Sequence, residues 1–245
     1  MGMGIYGHRA RIGYTSPPAT TEIFPYEFYK IVPEGVTLVI TTLAIMKLTS
    51  DEVDQSYEIS LRAASQMAET GIDLMVFGGV PINISRGFDN VADLIADTAK
   101  EIGVPVTTSL NAQMNGLKAV GAKKVAIIHP FNEEYSHDNM HRESLTRHGF
   151  ELTAIKGVGR PAVELGTIPS EIPLALAREL KAAHPEIDTI SFPCPHWAVS
   201  ELIQPLEDEL GINVTTALQA IVWESLRLCD INDRIDGFGK LLTEH

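Results

Sequence analysis

The sequence predicts an α/β protein with two pseudo-symmetric halves. Each half is expected to be a four-stranded parallel sheet flanked by helices, with the active site in the cleft between them. Two observations carry this prediction. Short β-branched runs alternate with longer helix-patterned segments along the whole chain, which is typical of parallel sheets with crossover helices. The chain also matches itself in three places.

Eight short apolar runs are predicted to be strands, four in each half. They are Arg11–Thr15, Val36–Thr42, Leu74–Phe77, Val104–Val106, Lys124–Ile128, Glu151–Ile155, Thr189–Phe192 and Asn213–Thr215.

Helix boundaries follow from capping residues as well as from periodicity. Thr49 and Glu52 have the spacing of a capping box, and Gly71 is expected to end that helix. A second helix is predicted over about Phe88–Ile102, before Gly103. Another opens at Ser170 and stops before Pro185, because proline cannot continue a helix.

The three internal matches occur in the same order in both halves. Arg11–Pro17 aligns with Lys124–Pro130, Ile72–Gly79 with Ile187–Cys194, and Gly103–Leu110 with Gly211–Leu218. Chance is an alternative for any single short match, but three in register indicate a duplication. We expect one domain from residues 1–110 together with 217–245, and a second from 111–216. In such sheets ligands bind at strand-end loops, so Gly79 is expected to face Cys194 across the cleft.

The amino-acid composition indicates which kinds of molecule this protein is expected to bind. The 19 Lys and Arg against 32 Asp and Glu give a formal charge of −13, which argues against a nucleic-acid or anionic-membrane surface. A small-molecule partner is expected, and a homo-oligomer is possible. An anionic ligand would need positive potential from backbone amides and helix ends. No apolar run approaches bilayer length, and Met1–Arg11 lacks an apolar signal core, so we expect a cytoplasmic protein with free cysteines.

Cys194 is the candidate reactive residue. It lies in Phe192-Pro-Cys-Pro-His-Trp197, after a strand and before a helix expected to begin near Ala198. The positive end of that helix would lower the pKa of the thiol. The alternative is a small buried hydrophobic residue, the commonest fate of a free cysteine.

Other candidates carry weaker signals. His196 is close enough in sequence to share a proton with Cys194, although neighbouring loop residues often point apart. Cys229 lies in an apolar helix pattern and is expected to pack in the core. His137 and His141 have the spacing of a helical metal pair, but no third ligand follows, so a solvated helix face is favoured and no metal is predicted.

The loop after the third strand offers polar groups for a carboxylate. Gly79 permits close backbone approach, and Asn83, Ser85 and Arg86 are candidate ligands. The alternative is a turn followed by a helix cap, which is favoured for Ser85. The stretch Thr15–Thr21, which includes Pro17, is expected either to line the same cleft or to be a plain loop.

These residues resemble the aspartate/glutamate racemase superfamily, and more closely its arylmalonate decarboxylase and maleate isomerase branch. The likeness spans nearly the whole chain. It rests on Ile12-Gly-x-x-x-Pro-Pro18, Ser85-Arg-Gly87, Thr107-Thr-Ser109, the Pro130-Phe131 loop and Cys194.

The resemblance implies a cofactor-independent enzyme acting on a small carboxylic acid. Superfamily racemases carry a cysteine on each side of the cleft, and maleate isomerases use the first as a nucleophile. Here the first position is Gly79, so the chain is most like the decarboxylases, which keep only the second thiol. Cys194 would then protonate an enediolate-like carbanion.

The family's oxyanion donors are not conserved in this chain. Val80 and Pro81 stand where the family decarboxylase has hydroxyl residues, Phe131 where it has tyrosine, and Pro195 where it has glycine. The expected substrate-binding residues are Pro17, Gly79, Val80, Pro81, Asn83, Phe131, Asn132, Pro195 and His196. The possible replacement donors are Thr15, Ser16, Asn83, His129, Asn132 and His196.

Two alternatives to decarboxylation stay open. One is a maleate isomerase-like or racemase-like enzyme that uses Cys194 with a partner such as His196. The other is a non-catalytic protein that binds a small acid.

Overall fold

A computed structural model describes residues 6–19, 21–47, 49–132 and 137–245. The strands are β1 (Ala10–Pro18), β2 (Val36–Ile45), β3 (Leu74–Phe77), β4 (Val106–Thr108), β5 (Lys124–His129), β6 (Glu151–Gly157), β7 (Thr189–Phe192) and β8 (Asn213–Thr216). They form two four-stranded parallel sheets with the orders β2-β1-β3-β4 and β6-β5-β7-β8. The identical order confirms the predicted fold class of two similar α/β halves.

Helices flank both sheets. They are α1 (Ile23–Ile31), α2 (Ser50–Glu69), α3 (Val80–Asn83), α4 (Val91–Ile102), α5 (Ser109–Ala119), α6 (His137–Arg147), α7 (Glu171–Ala183), α8 (Ile203–Leu210), α9 (Ala217–Leu228) and α10 (Lys240–Thr243). Short 3₁₀ turns occupy Phe88–Asn90, Ala162–Thr167 and Ser200–Leu202. In the described ranges no helix has both the length and the apolar character needed to cross a bilayer.

The predicted helix caps have a mixed outcome. The capping box of Thr49 and Glu52 is formed, and Gly103 ends α4 with a left-handed φ of 73°. Ser170 precedes α7 but makes no side-chain cap. The helix expected near Ala198 begins only at Ile203, after the 3₁₀ turn. That later start changes the surroundings of Cys194.

Each sheet has its own apolar core. In the first half Tyr14 and Leu74 pack with Phe24 of α1 and with Leu218 and Val222 of α9. The chain therefore returns to the first sheet after β8. The proposed boundaries after residues 110 and 216 remain a prediction.

A buried carboxylate connects the two halves. Glu27 on α1 is 2% exposed and accepts the backbone N–H of Ser200 at 3.1 Å. Lys30, one turn along α1, lies 3.3 Å from Glu27 and 2.7 Å from Glu201. A buried charge is tolerated only when it is paired and hydrogen-bonded, so these contacts help to fix α1 against the second half.

Candidate active site

A cavity of about 300 Å³ opens between the two halves at the strand ends. Loops that follow β1, β2 and β3 line it on one side, and loops that follow β5, β6 and β7 line it on the other. Its wall is mostly apolar. It includes the predicted residues Pro17, Gly79, Val80, Pro81, Phe131, Cys194, Pro195 and His196. Of the predicted substrate-binding residues, Asn83 and Asn132 are absent from this wall.

Gly79 and Cys194 occupy equivalent positions. Gly79 is the second residue after the end of β3 at Phe77, and Cys194 is the second residue after the end of β7 at Phe192. Both line the same cavity. Among the described residues of the wall, Cys194 is therefore the one thiol, and its counterpart has no side chain.

Two glycines are required where β3 enters its loop. A Cβ on Gly78 would lie 2.0 Å from the backbone oxygen of Thr15. Gly79 has a φ of +80°, and a Cβ there would lie 2.6 Å from Cγ of Pro17. Thr15 accepts the N–H of Gly78 through its hydroxyl at 3.2 Å, so its oxygen serves the backbone rather than the cavity.

Burial dominates the chemistry of Cys194. The residue is 7% exposed in an apolar cluster, and this desolvation raises the pKa of the thiol to about 12. The backbone N–H of His196 donates to the sulfur and opposes the rise only in part. The expectation that a helix N-terminus lowers this pKa is wrong, because α8 begins at Ile203, well beyond the loop. The thiol form therefore prevails at neutral pH.

His196 lines the cavity beside Cys194. It is 9% exposed, and neither ring nitrogen has a hydrogen-bond partner in the described part of the chain. Its ring packs against Phe24 at a centroid distance of 5.9 Å. Burial lowers the pKa of His196 to about 3, because the charged imidazolium would lose its hydration. The imidazole is consequently neutral at physiological pH.

The side of the wall that belongs to the second half also carries stacked rings, at the end of β5 and on α6. His129 is 1% exposed, and its Nε2 lies 3.0 Å from Oδ1 of Asp138. Its ring stacks on Phe131 and on His141, at centroid distances of 6.3 and 6.1 Å. His141 lines the cavity, so the expectation of a solvated helix face is wrong for this residue. The side chain of His137 lies outside the described residues.

Metal ligands do not cluster in the described ranges. No group of three or more His, Cys, Asp and Glu side chains there has a geometry that could hold an ion.

Asn83 has a structural position beneath the cavity. It is 2% exposed, its Nδ2 donates to the carbonyl of Phe77 at 3.2 Å, and its Oδ1 accepts the N–H of Leu110 at 3.3 Å. It therefore connects the Gly79 loop to the start of α5 instead of facing a ligand.

The polar candidates Ser16, Ser85, Arg86 and Asn132 are also absent from the cavity wall. Arg86 pairs with Asp54 at 2.5 Å and stacks over Tyr57. Ser85 donates to the carbonyl of Ile82, and Ser16 donates to Thr21. Asn132 is exposed. The surroundings of Cys229, which packs against the first core, agree with the expected packing role.

Sequence reasoning missed three polar residues of the wall, Glu22, Lys47 and Ser109. Lys47 follows β2 and Ser109 follows β4, and both line the cavity. The available signal for Ser109 is its place three residues after the predicted strand Val104–Val106, inside the Gly103–Leu110 repeat match and the Thr107-Thr-Ser109 motif of the family resemblance. The hydroxyl of Ser109 is buried and has no hydrogen-bond partner among the described residues.

The protein is thus an α/β protein of two similar halves that enclose a candidate active-site cavity at their strand ends. A family model for arylmalonate decarboxylase matches residues 12–242, and the chain belongs to that family. An arylmalonate decarboxylase from Bordetella bronchiseptica is 26% identical over 238 residues, covering 95% of this chain and 96% of that protein. This confirms the resemblance inferred from the motifs.

Isomerases are found among the relatives as well. A maleate isomerase from Geobacillus stearothermophilus is 24% identical over 220 residues, covering 87% of this chain and 86% of that protein. A crystal structure of a liganded arylmalonate decarboxylase variant matches with a TM-score of 0.87 at 22% identity, covering 96% of this chain and 100% of its own. The homologues of this chain are thus decarboxylase and isomerase enzymes of one fold.

Proposed function

We propose that this protein is a cofactor-independent decarboxylase of a small substituted malonate, with the thiol of Cys194 as the proton donor to the carbanion. One observation carries the proposal: Cys194 lines a cavity in which the equivalent position of the other half is Gly79. A donor on one side only can protonate one face of a planar intermediate. The same arrangement argues against two-sided proton exchange by paired thiols.

The protonation state of the thiol supports a donor rather than a nucleophile. Burial raises the pKa of Cys194 to about 12, and only the thiolate is a good nucleophile. By the family resemblance, maleate isomerases place their nucleophile where this chain has Gly79. Decarboxylation therefore fits the residues better than addition of a thiolate to a double bond.

The reaction balances without a cofactor. The bond between the α-carbon and one carboxylate breaks, carbon dioxide leaves, and the electron pair remains in an enediolate. The S–H proton of Cys194 then moves to the α-carbon, and water returns a proton to the sulfur. The backbone N–H of His196 at the sulfur stabilises the thiolate formed in this step.

The apolar wall suits the departing carboxylate. Val80, Pro81, Phe131, Leu165 and Pro195 line the cavity and offer few donors, since neither proline has a backbone N–H. A carboxylate held against them is poorly hydrated, and loss of neutral carbon dioxide relieves that cost. The same surface has room for an apolar substituent on the α-carbon.

Racemisation by Cys194 and His196 is the less favoured alternative. Because burial lowers the pKa of His196 to about 3, its imidazole is too weak a base to take a proton from carbon at neutral pH.

The test is turnover in deuterated water with mass detection. The panel holds phenylmalonate, 2-methyl-2-phenylmalonate, maleate and amino acids, each with the wild type, Cys194→Ala and Cys229→Ala. We expect the wild type and Cys229→Ala to release carbon dioxide from a malonate, place one deuterium on the α-carbon, and give one enantiomer from the methylated substrate. The rate of carbon dioxide release by Cys194→Ala should be at least about 100-fold lower than that of the wild type, in line with the loss of a positioned proton donor.

Two results would contradict the proposal. One is exchange or isomerisation without carbon dioxide, which would place the chain with the isomerases. The other is full activity in Cys194→Ala.

A further inference from the structure

Ser109 has a buried hydroxyl with no assigned task. It is the first residue of α5 and lines the cavity, yet it is 1% exposed. Its Oγ has no hydrogen-bond partner among the described residues. A buried polar group without a partner is costly, so such a group in a cavity wall indicates a ligand that completes it.

The other half shows that the fold does not need this hydroxyl. Ser109 aligns with Ala217 in the internal repeat, and each is the first residue of a helix that follows the last strand of its half. Both helices are capped by the preceding threonine, Thr108 or Thr216. Ala217 is fully buried and is not part of the cavity wall. The hydroxyl is thus present only in the copy that faces the cavity.

The local field at Ser109 favours an anion. Helix α5 has 11 residues and no acidic residue in its first turn. The N–H of Leu110 donates to Asn83 and that of Asn111 to Thr108, so these contacts hold the helix start in place. The positive end of the helix dipole and a free O–H donor therefore coincide at the wall.

We propose that the hydroxyl of Ser109 donates a hydrogen bond to the carboxylate that the substrate retains, at the N-terminal end of α5. This inference rests on the proposed decarboxylation. It supplies one donor in place of the hydroxyls that the family decarboxylase has where this chain has Val80 and Pro81. The ligand class is an α-substituted carboxylate.

The retained carboxylate, and not the departing one, is the partner that helps the reaction. Negative charge grows on the retained group as the enediolate forms, so a donor there stabilises the transition state more than the ground state. A donor on the departing carboxylate would stabilise the ground state and slow the loss of carbon dioxide. The two assignments predict opposite effects on kcat.

The kinetic test compares Ser109→Ala with Ser225→Ala. Ser225 is also a buried serine whose hydroxyl has no partner among the described residues, but it is absent from the cavity wall, so it is the matched control. We expect Ser109→Ala to lose about 10²- to 10³-fold in kcat, as for one oxyanion donor. Its unfolding midpoint in urea should be unchanged or higher, and Ser225→Ala should keep wild-type kcat. A kcat of Ser109→Ala within about 3-fold of wild type, or above it, overturns the proposal.

A binding test separates this proposal from the decarboxylase function. Phenylacetate and its neutral counterpart phenylacetamide are titrated calorimetrically into both proteins. We expect the wild type to prefer phenylacetate, and Ser109→Ala to lose about 10-fold of that preference, the value of one charge-assisted hydrogen bond. If no malonate is turned over but this loss is seen, the decarboxylase function fails and the Ser109 subsite stands. Equal preference in both proteins, or no preference in the wild type, overturns the subsite.

Discussion

Pro17 lies directly against Gly79, so that a Cβ placed on the glycine would come within 2.6 Å of the proline Cγ. Gly79 also has a φ of +80°, a backbone conformation that side chains rarely adopt. The position opposite Cys194 is therefore closed to a side chain by both backbone and neighbour. The described part of the cavity wall therefore has a thiol on the Cys194 side only.

The first prediction concerns a second thiol at that position. Gly79→Cys should destabilise the protein by about 1–3 kcal/mol from backbone strain, with a further loss from the clash. Pro17→Ala removes the clashing Cγ and should restore part of the loss in the double variant. Unfolding in urea measures both.

Gly103→Ala is the control for the backbone effect alone. Gly103 has a φ of +73°, and nothing lies within 4 Å of its Cβ position. The prediction fails if Gly79→Cys lowers the free energy of unfolding no more than Gly103→Ala does and Pro17→Ala restores none of that loss. The contact with Pro17 would then not be what excludes a side chain at residue 79.

The second prediction is a pH dependence of stability due to His196. Its pKa is about 3 in the folded protein and about 6.5 when unfolded, so between these values the unfolded chain binds the extra proton. Stability should therefore fall as the pH drops from about 6.5 toward 3, by up to about 1.4 kcal/mol per pH unit. His196→Gln should show a shallower decline in urea unfolding at pH 7 and pH 4.5. Parallel curves for the two proteins would contradict the buried, neutral imidazole.

Cys194 gives stability the opposite pH dependence, at alkaline pH. Its pKa is about 12 when folded and about 8.5 when unfolded, so the folded protein keeps a proton that the unfolded chain releases. Stability should fall as the pH rises above about 8.5. Cys229, with a pKa raised to about 11 mainly by burial, contributes in the same direction. Cys194→Ala should lose part of this slope and keep the part due to Cys229.

The fourth prediction concerns Asn83 as a structural residue. Asn83→Ala leaves the carbonyl of Phe77 and the N–H of Leu110 without their partner, which should cost about 1–3 kcal/mol for buried groups. Unfolding in urea measures the loss. Ser85→Ala, which removes a bond to one carbonyl on the same loop, should cost less. Phenylacetate affinity in Asn83→Ala that falls without any loss of stability would instead indicate a direct contact with the ligand.

The sequence by itself determined the fold and the position of the thiol. Strand patterns located seven strands closely, since parallel buried strands are continuous apolar runs in sequence. The predicted Val104–Val106 run overlaps β4 (Val106–Thr108) at Val106 alone. The repeat also aligned Gly79 with Cys194, because each follows its strand by the same number of residues. The spacing of residues within short segments is sufficient to predict strand positions and the alignment of Gly79 with Cys194.

Only the tertiary structure decided which polar groups face the cavity and how they titrate. Asn83 and Ser109 both follow strand ends in sequence, yet Asn83 is used by the backbone and Ser109 lines the wall. The sequence predicts a lowered pKa for Cys194, but burial raises it, because desolvation depends on what packs around the sulfur. The helix that was expected to lower this pKa begins only at Ile203. Side-chain direction and burial arise from contacts between distant segments, and the sequence pattern does not encode them locally.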